Sequence, residues 1–114
     1  MSSAITTIII PVKDLDQAKA LYGKLLGTEP YADAPYYAGF RVDGQEIGLN
    51  PHGHAEGMTG PVGYVQVDDV EATIKELTAA GAQQQGDVRD VGGGTLIALL
   101  TDADGNPIGL RQNA

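Results

Sequence analysis

Side chains capable of chemistry are few in this 114-residue sequence, and its two histidines lie close together. His52, His54 and Glu56 alternate with small residues, and imidazole and carboxylate groups can bind zinc or nickel or transfer protons near neutral pH. Glycines and prolines run through the same segment, residues 51–61, as in a connecting loop. We therefore hold three interpretations of this segment: a plain connector, the lip of a ligand cavity, or a metal site.

Several kinds of nucleophile are excluded by composition. The chain has no cysteine, which removes disulfides, thiolate nucleophiles and zinc–thiolate sites. The serines, Ser2 and Ser3, both fall in the first few residues, where chains are commonly poorly ordered. A Ser–His–Asp hydrolase is therefore not expected.

The charge balance limits the partners that the chain can have. Lys and Arg number 7 against 15 Asp and Glu, which gives a formal net charge of −8. Such a chain is unsuited to phosphate recognition, so we expect neither nucleic-acid binding nor docking on an anionic membrane. It favours a cationic small molecule instead. The sequence shows no apolar run of membrane-spanning length and no secretory signal, which predicts a cytoplasmic protein.

Hydrophobic periodicity predicts the same series of elements twice. The helices are expected to begin at the N-caps Asp14 and Asp68 and to end at Gly27 and Gly81. The pair Asp43-Gly44 predicts a tight hairpin. The first strand is expected to be buried on both faces because it is rich in β-branched apolar residues. The predicted strands span residues 5–12, 36–42, 45–50, 64–67, 94–101 and 107–112.

The two halves also repeat each other residue by residue. Residues 12–16 match residues 67–71, and in the pair 43–49 and 104–110 five of seven residues are identical. The repeat predicts two βαβββ modules, near residues 1–54 and 60–114, within one α+β domain. Because neither module can cover both faces of its strands, the modules must pack together or exchange with a second chain.

The sequence resembles members of the vicinal oxygen chelate superfamily. This superfamily includes glyoxalase I, bleomycin-resistance proteins, fosfomycin-resistance enzymes and extradiol dioxygenases. The resemblance rests on Val12-Lys13-Asp14-Leu15 followed by Tyr22 and Leu25-Leu26-Gly27, and on residues 102–110. It covers the whole chain as a single glyoxalase-like domain. It implies a U-shaped, partly open mixed-sheet barrel of two βαβββ modules around a ligand cavity, in a homodimer.

Catalytic members of this superfamily bind one divalent metal through His, Glu or Gln. The resemblance places those ligand positions at Thr7, Gly48, Val62 and Gly109. Val and Gly have no donor atom in the side chain, and a Thr hydroxyl alone is a poor ligand. We therefore expect no metal, no cofactor and no catalytic residue of the family type. Glycine at two of the positions either opens space for a ligand or suits close packing of strands.

Strand alternation predicts which side chains share the cavity. Glu46 and Asn50 are expected to point to the same side of their strand as Gly48. In the same way, Tyr64 and Gln66 are expected to share a side with Val62, and Arg111 with Gly109. The predicted ligand-binding residues are Thr7, Tyr37, Glu46, Asn50, His52, His54, Tyr64, Gln66 and Arg111. Alternatively, Glu46 and Arg111 pair with each other across the interior.

Aromatic residues are concentrated in one stretch of the first module. These residues are Tyr31, Tyr36, Tyr37 and Phe40. They could stack on a planar or cationic ligand, or they could be half-buried sheet residues or a dimer contact.

Three functions from different classes fit these observations. The first is a metal-free protein, similar to bleomycin-resistance proteins, that binds a cationic or aromatic small molecule in a dimeric cavity. The second is a metal-dependent lyase, isomerase or dioxygenase in which His52, His54 and either Glu56 or Glu46 replace the missing ligands. The third is a non-catalytic interaction domain.

Overall fold

The computed structural model describes residues 4–114, so Ser2 and Ser3 lie outside the described residues. The chain forms two compact units, and the division falls between Val62 and Gly63, with the described residues before Thr6 belonging to the second unit. Each unit repeats the order strand, helix, three strands. The prediction of two βαβββ modules in an α+β protein is confirmed.

The first unit contains a four-stranded sheet with one helix. Its elements are β1 (Ile5–Pro11), α1 (Leu15–Leu26), β2 (Ala32–Ala34), β3 (Tyr37–Val42) and β4 (Gln45–Asn50). The strand order is β2-β3-β4-β1. β1 runs parallel to β4, whereas the pairs β2–β3 and β3–β4 are antiparallel.

The second unit has the same arrangement. Its elements are β5 (Val62–Gln66), α2 (Val70–Ala79), β6 (Gln83–Asp90), β7 (Leu96–Thr101) and β8 (Pro107–Gln112). The strand order is β5-β8-β7-β6, with β5 parallel to β8 and the other pairs antiparallel. Within residues 4–114, neither α1 nor α2 has the length and apolar composition that a membrane-spanning helix requires.

The ends of α1 agree with the sequence prediction. The side chain of Asp14 accepts a hydrogen bond from the backbone N–H of Gln17 at 3.0 Å, which satisfies one of the free donors at the helix start. Gly27 ends the helix in the left-handed conformation, at φ 70°. On the helix surface, the Lys19 ammonium donates to Asp33 of β2 at 2.9 Å, and this hydrogen bond raises the pKa of Lys19.

The start of α2 differs from the prediction by one residue. Asp69, and not Asp68, is the N-cap, and its carboxylate accepts from the backbone N–H of Ala72 at 3.0 Å. The prediction was wrong because either of two adjacent aspartates fits a capping pattern by composition. The helix ends before the expected Gly81, with Ala80 as its C-cap.

Two strands were missed by the sequence analysis, and one was described incorrectly. β2 is three residues long, too short for a periodic signal. β6 is almost wholly exposed and carries an irregular register between Gln85 and Arg89, so it lacks the apolar alternation of a strand. β1 is not buried on both faces, since Ile5 is 57% exposed and residues 8–10 are half-buried.

The hairpin between β3 and β4 forms as predicted. Val42 pairs with Gln45, and the two residues between them, Asp43 and Gly44, have φ angles of 50° and 82°. Positive φ at both central positions is typical of the tight turns that match strand twist. This turn fixes the register of the two strands that carry the candidate site.

The loop at residues 51–61 packs against the first unit. Gly53 is buried against Pro11, since a Cβ at Gly53 would lie 2.6 Å from the Cβ of Pro11. The side chain of Met58 is also buried. This loop is therefore a packed part of the first unit, which is why that unit extends to Val62 and not to residue 54.

Candidate functional site

The candidate site lies on the sheet face of the first unit that points away from α1. Ala38, Phe40 and Leu49 form the buried cluster against the helix. Because side chains alternate along a strand, their neighbours Gly39 and Gly48 face the other way. Phe40 is completely buried on the helix side. The predicted aromatic set therefore does not share one face, and Phe40 is excluded from the candidate site.

Two glycines lie side by side on this face, with a tyrosine ring over them. Gly39 pairs with Gly48 across β3 and β4. A Cβ built on Gly39 would lie 2.9 Å from Cε2 of Tyr37, and one built on Gly48 would lie 2.7 Å from Cε1 of the same ring. The half-buried Tyr37 ring thus occupies the space that side chains at both positions would need.

Polar groups complete this arrangement, which we call the tyrosine cluster: Tyr31, Tyr37, Arg41 and Glu46. The hydroxyl of Tyr37 donates a hydrogen bond to the carboxylate of Glu46. Arg41 is the register partner of Glu46, and its guanidinium lies 4.0 Å from the centre of the Tyr31 ring. The cluster combines aromatic faces, a carboxylate and a cation, which are groups suited to orienting a polar aromatic molecule.

The second unit has a related arrangement on its face away from α2. Tyr64 is buried and pairs with Gly109, and a Cβ built on that glycine would lie 2.7 Å from Cδ2 of the Tyr64 ring. One step along, Gln66 pairs with Arg111, and both are half-buried. In both units, therefore, the last strand has a glycine whose side-chain space is filled by a tyrosine.

The positions of these rings bear on one alternative from the sequence. Glycine at positions 48 and 109 was expected either to open space or to suit close packing. The space is taken by Tyr37 and by Tyr64, respectively. In the described structure the space at these glycines is therefore filled by tyrosine rings and is not open to a ligand while the rings stay in place.

The histidine-containing loop is organised by Asn50. The Asn50 side-chain oxygen accepts from the backbone N–H of His52 at 2.9 Å, and its amide donates to Glu56 at 3.1 Å. His52 and His54 are exposed. Asn50 therefore holds the loop, while the two imidazoles face solvent.

The residues present do not fit the metal that the family resemblance implies. Gly48, Gly109 and Val62 offer no side-chain donor, and Thr7 is a buried hydroxyl with no carboxylate or imidazole among the other ligand positions. Within residues 4–114, no group of three or more His, Asp or Glu side chains is placed to hold a metal ion. The alternative ligand set of His52, His54 and Glu56 or Glu46 is accordingly not assembled in this part of the chain.

Sequence analysis missed two members of the site, Arg41 and Gly39. A two-residue turn at Asp43-Gly44 makes residues 42 and 45 partners, so residue 41 must face residue 46 and residue 39 must face residue 48. Extending the alternation from β4 to β3 would have identified both residues. Nothing in the sequence places Tyr31 against Gly39, because it precedes a strand too short to show a pattern.

A family model described as Glyoxalase/Bleomycin resistance protein/Dioxygenase superfamily matches residues 4–110. No curated protein sequence gives a significant match.

Solved structures resemble the chain over nearly its whole length. The hypothetical protein BH1468 from Bacillus halodurans C-125 has a TM-score of 0.79 and 18% identity, covering 100% of this chain and 96% of that one. A Streptomyces coelicolor methylmalonyl-CoA epimerase variant in complex with 2-nitronate-propionyl-CoA has a TM-score of 0.78 and 18% identity, with the same coverage. A superfamily member from Vibrio splendidus 12B01 has a TM-score of 0.70 and 14% identity, covering 94% and 97%. At such identities the likeness concerns the fold, and function must be argued from the site.

Proposed function

We propose, from the premise that the chain belongs to the glyoxalase/bleomycin resistance protein/dioxygenase superfamily, that it is a small-molecule-binding protein that works without a metal. The first unit would bind the ligand through the tyrosine cluster. The proposal retains the partly open barrel and the homodimer that the resemblance implies.

One observation carries this proposal: a tyrosine ring fills the space above each glycine at a family ligand position. Tyr37 lies over Gly48 and Tyr64 lies over Gly109. A carboxylate or imidazole could not be added at either glycine without moving a ring, because atoms do not approach within 3 Å of a Cβ. The groups that remain on the face are hydrogen-bonding and aromatic, which suits binding and orientation.

The charges indicate which ligands are favourable. The chain carries a net charge of −8, so it repels polyanions and attracts cations. The Streptomyces epimerase is solved with an acyl-CoA compound, and the several phosphate charges of such a molecule would be unfavourable here. We propose an aromatic or cationic ligand that stacks on Tyr31, which is 46% exposed, and donates a hydrogen bond to Glu46.

The first test combines metal content with a ligand screen. Protein purified untagged and without chelators is expected to contain far less than one equivalent of Zn, Ni, Mn or Fe by mass spectrometry. A screen of aromatic and cationic compounds should then raise the thermal midpoint, since a ligand that binds the folded state stabilises it. Near-stoichiometric metal that is lost together with ligand binding would contradict the proposal.

Substitution of Glu46 tests the assigned site. Glu46→Gln is expected to weaken binding of a cationic screening hit about tenfold or more, because hydrogen bonds from a cation to a charged acceptor contribute about 1.5–3 kcal/mol. Glu76→Gln makes the same chemical change on the exposed surface of α2 and should leave affinity unchanged. Equal affinities for the wild type and both variants, measured by calorimetry, would remove the site from the proposal.

A second candidate function is a protein-interaction domain, and one observation favours it. Leu21 and Leu25 lie one turn apart on α1 and are 65% and 72% exposed. Contiguous exposed apolar surface marks interaction sites, and these two leucines are neighbours on one helix face. An interaction domain without a ligand would show no stabilisation in the screen, whereas Leu25→Lys would abolish partner binding and leave the monomer fold intact.

A further inference from the structure

The paired glycines form the floor of a slot in the first unit, which we call the glycine slot. Its floor is Gly39 and Gly48, which are register partners on the face away from α1. Ile9 borders it at Gly48, since its Cδ1 would lie 2.7 Å from a Cβ there, and Tyr31 borders it at Gly39 at 3.0 Å. The Glu46 carboxylate stands two residues along β4 from Gly48. Without side chains on the floor, a flat ring can lie directly on the backbone.

The glycine slot is filled by the phenol side chain of Tyr37. The ring of Tyr37 covers both glycines and its hydroxyl reaches Glu46. Tyr37 is the first residue of β3, directly after the turn that follows β2. Its side chain is thus attached at the end of a strand, where rotation about the Cα–Cβ bond moves the ring without breaking the strand register.

We propose that the glycine slot is a binding site for phenols, in which Tyr37 is a tethered occupant that a free hydroxyaromatic ligand displaces. This inference rests on the proposed function and names the ligand class of the same site. A phenol recognises the slot through its flat ring and through its hydroxyl, which donates to Glu46 as Tyr37 does.

The chemistry of Glu46 sets the specificity. A carboxylate accepts hydrogen bonds, so a hydroxyl on the ring satisfies it while a plain hydrocarbon ring leaves it without that partner. A ring bearing a carboxylate would meet Glu46 with like charge. Phenols are therefore expected to bind more tightly than toluene or benzoate of the same size.

The covalent attachment of the Tyr37 ring to the chain lowers the apparent affinity of the slot for a free phenol. A ring attached to the chain competes at a high effective concentration, so the slot is open in a small fraction of molecules. The apparent affinity of a free phenol falls by that fraction. Weakening the tethered occupant must therefore strengthen binding of the free one.

The experiment uses 4-methylphenol, which is the tyrosine side chain as a free molecule, on the full chain. Binding is followed by NMR titration of the Gly39 and Gly48 amides in the wild type, Tyr37→Ala and Tyr37→Phe. Tyr37→Ala should bind at least tenfold more tightly than the wild type. Tyr37→Phe keeps the ring and removes its hydrogen bond to Glu46, so it should fold normally and bind with intermediate affinity.

The role of Glu46 is tested in the Tyr37→Ala background. Adding Glu46→Ala should reduce the affinity for 4-methylphenol about tenfold or more, to that of toluene. Adding Glu76→Ala, on the exposed surface of α2, should leave it unchanged. Equal binding of toluene and 4-methylphenol by Tyr37→Ala would overturn the assignment of phenols.

Two further outcomes would overturn the proposal. If both Tyr37 variants bind 4-methylphenol no better than the wild type, the ring is not a competitor. If the variants bind 4-methylphenol and the wild type shows no binding even at the highest ligand concentration, the free phenol does not displace the Tyr37 ring. In either case a screening hit whose binding still depends on Glu46 would leave the proposed function standing, so the two failures are distinguishable.

Discussion

At the scale of single residues, the side chain of Asp102 organises the turn before β8. Its Oδ1 accepts from the backbone N–H groups of Asp104 and Asn106, both at 2.9 Å. Its Oδ2 accepts from the Asn106 amide at 3.0 Å. These hydrogen bonds, above all those from Asn106, lower the pKa of Asp102. The charged form of this carboxylate is therefore part of what stabilises the second unit.

The sign of the pH effect follows from that lowered pKa. A carboxyl group whose pKa is lower in the folded state adds stability above its unfolded pKa, and this stability is lost as the pH falls through the folded value. Asp102→Asn is thus expected to unfold at lower urea concentration than the wild type at pH 7, with the difference shrinking below about pH 4. Asp104→Asn removes a charge from the same turn and keeps the hydrogen bonds to Asp102, so it should unfold at nearly the wild-type urea concentration at pH 7. If the urea midpoints of Asp102→Asn and the wild type differ by the same amount at every acid pH, the stabilising role of the charged Asp102 carboxylate is contradicted.

Single residues also show what could be predicted from the sequence. The side of the sheet on which Glu46 lies follows from strand alternation alone. Its hydrogen-bond partner depends on packing between elements, because the Tyr37 side chain extends from β3 over the adjacent β4 to reach Glu46. Alternation gives the direction of a side chain, and it carries no information about how far a long side chain extends along the sheet.

At the scale of elements, the internal repeat is seen in the starts of the two helices. Asp14 and Asp69 occupy the same position in the two modules, and both accept from the backbone N–H three residues on, at 3.0 Å. The internal match of residues 12–16 with residues 67–71 pairs these two aspartates. Local composition favoured Asp68 instead, so the long-range repeat was the better guide to the helix start.

The α2 start gives a prediction with a neighbouring control. Asp69→Ala removes the hydrogen bond to Ala72 and should lower the free energy of unfolding by about 1 kcal/mol. Asp68→Ala changes an exposed residue outside the cap and should have an effect within about 0.5 kcal/mol. Urea unfolding measures both, and a larger loss in Asp68→Ala would mean that the helix begins one residue earlier.

Other elements lay beyond what the sequence can predict. β6 contains three successive glutamines and has a single half-buried residue, so neither β propensity nor alternation identifies it. It is a strand because β7 offers a partner for its backbone groups. Tertiary pairing of this kind leaves no local signal, whereas the hairpin at Asp43-Gly44 has one because its turn requires positive φ angles.

At the scale of the whole molecule, the excess of acidic residues affects association. Each copy carries a net charge of −8, and like charges oppose the meeting of two copies. Salt screens this repulsion over about 10 Å at 0.1 M. The homodimer that the family resemblance implies should therefore be favoured by added salt.

Light scattering tests the homodimer directly. At micromolar concentration and moderate salt, the expected mass is about twice the 11.8 kDa of one chain. Dilution at low salt should shift the protein towards the monomer, because electrostatic repulsion is then least screened. A monomer at every concentration and salt level would contradict the dimer, and a dimer that weakens with salt would contradict the role given to charge.

The tyrosine ring over Gly48 also affects the order in which mutations at positions 37 and 48 are tolerated. A metal-binding side chain introduced at position 48 alone would collide with the Tyr37 ring and destabilise the unit. Replacing Tyr37 by a small residue removes that collision and leaves the end of the Ile9 side chain close to position 48. The two positions are therefore epistatic: a side chain at position 48 costs less stability after Tyr37 has been replaced by a small residue than before. A metal site engineered at position 48 is therefore expected to cost least stability when Tyr37 is replaced first.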